Sequence, residues 1–330
     1  MNVPARIAAL LLVLASATAS AGPEVLLFPA LGRPGGVTLH GRVLADTPHG
    51  STALSRNLRR LASRNWKGAR VEVSFLGVSA TVTSGEDGDF QVTLPPPHVG
   101  PFPVGGHEAQ ARVPGASASA RVEIVSDTAP FLVVSDFDDT VAISEVTKPD
   151  KLVTNALLRD ADTQKVVPGM AGFYGCLGAD SGAVPAFALV SGSPVQFGPR
   201  VSAFLSRHGF PAGFGLYLRD LGPDTLSGYK QPLIRSLLQR FPHPVVLVGD
   251  SGEKDPEVYA QIREEFPGRV RAIYIRDAGK SGDATRFQDM VLFKDASTAA
   301  EHAMGAGLAR RTCVSTAFPA SVPAAGTAVP

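Results

Sequence analysis

The sequence predicts a β-sandwich over residues 22–128 followed by a doubly wound α/β domain over 129–310. Three patterns predict this. Hydrophobicity alternates with period two up to about Thr128, gathers after Ala129 into short continuous apolar runs, and recurs between those runs at helical spacing. A chain of 330 residues, 44% hydrophobic and 18% charged, can bury two such cores, which excludes disordered and collagen-like classes. The formal net charge of +1 provides no global field to gather nucleic acid, and no nucleic-acid partner is expected. Two cysteines exclude a disulfide-rich miniature scaffold and a cysteine-built zinc cluster, and the seven histidines show no metal-ligand spacing.

The first segment is set apart from the fold. Arg6, a charge-free apolar run at 7–15 and Ala19-Ser20-Ala21 form the pattern of a signal peptide, 1–21, cut after Ala21. Export to the periplasm or beyond is the expectation; the alternative is a buried helix or a retained anchor. In the following stretch Val71, Val73 and Phe75 alternate with Arg70, Glu72 and Ser74, and Phe90, Val92 and Leu94 repeat the pattern, as half-buried antiparallel strands require. Turn residues at Gly85-Glu86-Asp87-Gly88 and Pro95-Pro96-Pro97 punctuate them. Leu58, Leu61, Ala62 and Trp66 recur at helical spacing among Arg56, Arg59, Arg60, Arg64 and Lys67, which predicts a short basic amphipathic helix near 56–67. It either covers the sandwich or lies on an anionic membrane surface.

In the second domain the apolar runs at 131–134, 187–190, 216–218, 245–248 and 272–275 have the continuous character of parallel strands covered on both faces. The stripes Leu233, Ile234, Leu237, Leu238 and, after the Asp255-Pro256 start, Val258, Tyr259, Ile262 mark helices between them. Residues 169–177 form another, with Phe173, Cys176 and Leu177 on its apolar face, so Cys176 is expected as a buried free thiol, the alternative being a bridge to Cys313. The Pro/Ala/Thr-rich tail 311–330 is expected to be disordered. Only about 141–167 remains for any cover over the site, and a segment below about forty residues cannot build an enclosing domain.

The chemistry sits where ligands bind on such a sheet, beyond the carboxyl ends of the strands. Ser135-Asp136-Phe137-Asp138-Asp139-Thr140 ends the first run, and its carboxylates repel one another unless a cation joins them. Hard oxygen ligands favour magnesium. Ser191 ends the second strand, Lys230 begins the helix leading into the fourth, and Gly249-Asp250-Ser251-Gly252-Glu253-Lys254-Asp255 follows the fourth directly. The hydroxyl and the ammonium suit phosphate oxygens, while Asp250 completes a metal set with Asp136 and Asp138. The segment Gly249-Asp250-Ser251-Gly252 also occurs around the nucleophile of chymotrypsin-like proteases, but here it joins an apolar strand to a helix and lacks their His signatures. Arg276, at the end of the last strand, contacts either substrate or a structural carboxylate.

This ordered set resembles the haloacid dehalogenase-like superfamily, with a small cap. The likeness covers about 129–307. It implies Asp136 as a nucleophile forming an aspartyl phosphate, Asp138 as general acid and base, Ser191 and Lys230 as phosphate clamps, and magnesium held at Asp250. Thr140 would steady the phosphate-binding first loop and Asp255 would support the metal shell or Lys230. The wording of Ser191-Gly192-Ser193-Pro194, of the segment from Val248 to Glu257 and of Ile273-Tyr274-Ile275-Arg276-Asp277 is similar to the actin-patch-protein-type phosphatidate phosphatases. That resemblance implies a phospholipid substrate, phosphatidate, cleaved to diacylglycerol with magnesium. Two other functions stay open: a phosphatase for soluble esters, and a binding module without turnover.

Overall fold

The protein is described from a computed structural model, which covers residues 21–48, 63–143, 164–220, 226–279 and 282–319. The leader, most of the basic stretch, the middle of the insert and the end of the tail lie outside the described residues. The described residues form a mixed α/β fold with two sheets.

The first sheet contains β1 Ala21–Leu27, β2 Ala30–Arg33, β3 Gly36–Pro48, β4 Arg70–Phe75, β5 Val78–Thr83, β6 Asp89–Leu94, β7 Gly105–Val113 and β8 Ala116–Ile124. Its order is β1-β3-β2-β8-β7-β4-β5, with β6 on β3. The period-two alternation turns Val71, Val73 and Phe75 inward onto a core shared with Leu39, Phe90, Ala111 and Val122. Leu76 and Gly77 connect β4 to β5 with φ of 44° and 82°, the left-handed pair that matches the twist of a two-residue hairpin.

The end of the basic stretch is not helical. Asn65 bridges Leu44, the Trp66 N–H donates to the Val43 carbonyl, and Trp66 packs on the sheet core. Backbone pairing with β3 prevails over the helical spacing there, while Arg64 and Lys67 pair with Asp46 and Glu86.

The second sheet contains β9 Leu132–Ser135, β10 Ala186–Pro194, β11 Gly215–Arg219, β12 Val245–Asp250, β13 Val270–Arg276 and β14 Val291–Phe293. The order is β11-β10-β9-β12-β13-β14 and every pairing is parallel, which puts β9 near the middle. Six helices accompany it among the described residues: α1 Met170–Cys176, α2 Gly198–Arg207, α3 Leu226–Arg240, α4 Asp255–Glu265, α5 Ala296–Gly305 and α6 Arg311–Ala317. Alternate residues of each strand feed two cores. Val133, Leu189 and Val248 meet α1, α2, α5 and α6 on one face, while Leu132, Val134 and Leu247 meet α3 and α4 on the other. Each fully buried Leu, Val or Phe stabilises the fold by about 1.5–3 kcal/mol.

Two expectations are corrected at the end of the chain. Residues 311–317 are helical rather than disordered, because Val314 has a place in the core and Phe318 packs beside Gly169 and Gly172. That helix brings Cys313 to Cys176 with Cα atoms 5.3 Å apart, and the two form a disulfide instead of leaving a free thiol. The insert is pinched at its base: Ile143 N–H donates to Lys165 O and Val167 N–H to Val141 O. No helix among the described residues is long and apolar enough to cross a membrane.

Candidate active site

The site forms at the carboxyl ends of β9, β10 and β12. Asp136 leaves β9 with its N–H bonded to Val248 O at 2.9 Å, which fixes the first carboxylate against the neighbouring strand. The chain then turns sharply: Asp139 takes a φ of 53°, and its carbonyl accepts from Arg276 Nη1 at 2.6 Å. Arg276 therefore steadies the first loop from the adjacent strand end. Phe137 is buried edge-on against Phe204 with ring centroids 5.3 Å apart. Thr140, fully buried, places its hydroxyl 3.4 Å from Asp136 Oδ2, where it steadies the carboxylate.

Lys230 enters from the first half of α3 and is 2% exposed. Its Nζ lies 2.9 Å from Asp136 Oδ1, 2.7 Å from Asp255 Oδ1 and 3.0 Å from Glu253 Oε2. Burial alone would lower its pKa, but these three carboxylates outweigh it and hold Lys230 as an ammonium, above its ordinary value. Asp250 ends β12. Its Oδ1 accepts from Gly252 N–H at 2.6 Å, whereas its Oδ2 is buried without a partner. Burial first, and then the charges of Asp255 and Glu253, push Asp250 up to about 8.

Gly249 is required just before it. A Cβ there would sit 2.4 Å from Asp255 Oδ2 and 2.8 Å from Tyr259, so only glycine lets α4 approach the strand closely enough to present Asp255. Arg286 closes the loop from outside, donating to Ser251 O and Glu253 O.

Asp136, Asp250 and Glu253 each offer an oxygen within 4.8 Å of the others. Three carboxylates, those of Asp136, Glu253 and Asp255, contact the Lys230 ammonium, and a fourth, Asp250, lies beside Asp136 and Glu253. The acidic groups outnumber this cation, and Asp250 Oδ2 is buried with no hydrogen-bond partner. A divalent cation of the hard, oxygen-preferring kind fits the donor set. The carboxylate of Asp138 lies outside the trio. It accepts instead from Ser193 Oγ at 2.8 Å and from Ser191 Oγ at 3.4 Å. Burial raises the Asp138 pKa and the Ser193 hydroxyl opposes the rise.

The sequence-selected residues Asp136, Asp138, Thr140, Ser191, Lys230, Asp250 and Asp255 thus meet around one cleft. Glu253, Ser193 and Arg286 join them without having been singled out. Glu253 stands inside the motif already read, but an acid in an acidic loop gives no sign of which way it turns. Behind the site, Tyr174 O–H meets Ser135 Oγ at 2.6 Å, and Ser135 Oγ donates to Asp136 O at 2.6 Å.

Residues 131–277 match the family described as phosphatidate phosphatase APP1, catalytic domain. An uncharacterised protein of Schizosaccharomyces pombe is 32% identical over 152 residues, 42% of this chain and 24% of that protein. Phosphatidate phosphatase APP1 of Saccharomyces cerevisiae is 31% identical over 153 residues, 44% of this chain and 25% of that protein. The chain thus spans about a quarter of the length of these curated relatives. Among solved structures, a carbohydrate acetylesterase from Xanthomonas citri overlays with a TM-score of 0.34 at 15% identity, over 87% of this chain and 67% of that one. A likeness that distant carries no weight here. Over residues 131–277 this chain is thus similar to the catalytic domain of the actin-patch-type phosphatidate phosphatases, which are phosphoric monoester hydrolases.

Proposed function

We propose that the chain is an exported, magnesium-dependent phosphatase of the haloacid dehalogenase-like type that hydrolyses phosphatidate to diacylglycerol. The observation that carries the reading is the contact of Lys230 with Asp136 beside the unpartnered Asp250 Oδ2, inside a segment matched to phosphatidate phosphatases. A parallel sheet with helices on both faces and its acids at the strand ends supports the doubly wound architecture. The common core of the first sheet supports a sandwich-like N-terminal domain. The Cys176–Cys313 bridge supports export into an oxidising compartment.

In this reading an oxygen of Asp136 attacks phosphorus in line with the ester bond. The new P–O bond forms as the old one breaks, and the departing diacylglycerol oxygen takes a proton from Asp138. Asp138 then accepts a proton from water, whose oxygen attacks the aspartyl phosphate. Inorganic phosphate leaves and the Asp136 carboxylate is restored. Lys230 and the hydroxyls of Ser191 and Ser193 hold the phosphoryl oxygens. Asp136, Asp250 and Glu253 would hold the magnesium, which supplies positive charge against the phosphoryl oxygens when bound.

The test compares phosphatidate in anionic vesicles with glycerol 3-phosphate and nucleotides at equal phosphate concentration, for wild type and Asp136→Asn. Faster release of phosphate from the vesicles, lost by about three orders of magnitude in the folded variant, is the expected result. Preference for soluble esters would replace the lipid substrate with a soluble one. No turnover of any ester would leave a binding module, and an active Asp136→Asn would remove the nucleophile assignment.

A further inference from the structure

We infer that the N-terminal sheet sets the position of the loop carrying Ser191 and Ser193, with Phe28 as a positioning residue that acts through Gly198. The inference rests on the reading of those serines as phosphate-binding groups. It extends to a part of the chain that the family match, which begins at residue 131, does not reach.

After Ser193 the chain passes Pro194, makes the 3-10 turn Val195–Phe197 and enters α2 at Gly198. This connection rests on the other sheet. Leu26, Phe28 and Leu44 form a small buried cluster on which Val195 packs. At Gly198 the contact is closer still: a Cβ built there would fall 2.8 Å from both Cδ1 and Cε1 of the Phe28 ring. Carbon atoms do not approach so closely, so the glycine lets the start of α2 lie directly on the ring.

The ring cannot easily withdraw. His40 packs beside it with centroids 5.4 Å apart, and His40 Nε2 bonds Leu216 O at 3.0 Å while its ring stacks on Tyr217 at 5.5 Å. The Leu216 N–H donates to Pro29 O at 2.8 Å, one residue from Phe28. Phe28 is thereby wedged between edge strand β11 and the first turn of α2.

Both loops around the substrate phosphate depend on that turn. Ser193 lies five residues before Gly198 and bonds Asp138 at 2.8 Å. Farther along α2, Phe204 sets its ring against Phe137, between Asp136 and Asp138. In a packed interior, removing the wedge leaves the turn free to shift, and the serines shift with it. Phosphate affinity should suffer more than the chemical step, because Asp136, Lys230 and Asp250 are held by β9, α3 and β12, and the loop of Asp138 is also tied to β13 through Arg276 and Asp139 O.

The test uses the full chain with magnesium. Binding of inorganic phosphate is measured by calorimetry, and kcat and KM on a generic aryl phosphate, for wild type, Phe28→Leu, Phe28→Ala, Gly198→Ala and the double variant Phe28→Ala/Gly198→Ala. Thermal unfolding confirms that each is folded. Phe28→Ala should weaken phosphate binding and raise KM about tenfold with kcat within about threefold, and Phe28→Leu should stay near wild type. Gly198→Ala should weaken binding alone. Adding Phe28→Ala should then restore part of it, since the new methyl occupies the space the ring has left. Should Phe28→Ala fail to fold, Gly198→Ala alone and combined with Phe28→Leu gives the same comparison.

Folded Phe28→Ala and Gly198→Ala proteins that bind phosphate as wild type does would overturn the inference while leaving the phosphatase reading intact, as would losses that simply add in the double variant. A wild type that neither binds phosphate nor hydrolyses the ester would overturn both.

Discussion

Lys230 Nζ and Asp136 Oδ1 meet at 2.9 Å with only 2% and 1% of their side chains exposed. The same ammonium holds Asp255 and Glu253, so its removal leaves buried carboxylates facing one another. Lys230→Met is expected to lose turnover and also about 3–5 kcal/mol of stability, the cost typical of orphaning a buried charge. Urea unfolding and an aryl phosphate assay measure the two losses. A Lys230→Met protein as stable as wild type would mean that the carboxylates are compensated in some other way.

Chelation is expected to abolish turnover and magnesium to restore it, with calcium failing to substitute because it prefers looser, higher coordination. Glu253 lies within ligand distance of Asp136 and Asp250. Glu253→Gln should therefore raise the magnesium concentration for half-maximal activity by about tenfold or more. An unchanged magnesium requirement would show that Glu253 serves Lys230 alone.

The bridge between Cys176 and Cys313 joins positions 137 residues apart. A cross-link of that span stabilises by up to about 5 kcal/mol, chiefly by restricting the unfolded chain. Cys176→Ala/Cys313→Ala should unfold at lower denaturant. A reductant should shift the wild type toward the variant and leave the variant where it is; equal midpoints for all samples would exclude a stabilising bridge.

His40 is half-buried where it bonds Leu216 O, and desolvation first, with Arg240 adding to it, lowers its pKa from 6.5 to about 4. The sign follows from proton uptake. Between these values the unfolded chain binds a proton that the folded chain refuses, so the stability present above pH 6.5 is lost as pH falls toward 4, by at most about 3 kcal/mol. His40→Gln, whose amide can donate to Leu216 O, should flatten that part of the profile in urea titrations at stepped pH. An unaltered slope would assign the pH dependence to other groups.

The residues around the cleft were legible because continuous apolar runs fix where parallel strands end, and a polar residue at such an end has only one place to go. Asp136, Ser191 and Asp250 follow from that rule, and Lys230 from the helix that leads into β12. What the sequence hid depends on direction or distance. Glu253 and Ser193 sit in turns whose backbone decides where they point. Cys313 needed a two-turn helix anchored by Val314 and Phe318, too short a stripe to stand out from a Pro/Ala/Thr tail. Trp66 carried a helical spacing, yet backbone pairing at Asn65 next to β3 prevailed. Phe28 carried no chemical signal, since its importance lies wholly in what it touches.

The position of β9 bears on how catalytic competence is acquired. The cystine closes a covalent ring that contains Ser191, Lys230, Asp250 and Asp255, whereas Asp136 and Asp138 lie on the open arm before it. In the native order β9 separates β10 from β12, so the ring's strands form an unbroken sheet only when the open arm has threaded between them. The carboxylate proposed as nucleophile, Asp136, arrives with the strand that completes the sheet. Under the proposed roles, a chain that has oxidised but not finished folding holds Ser191, Lys230 and Asp250 without Asp136, and it is expected to stay inert until the architecture is whole.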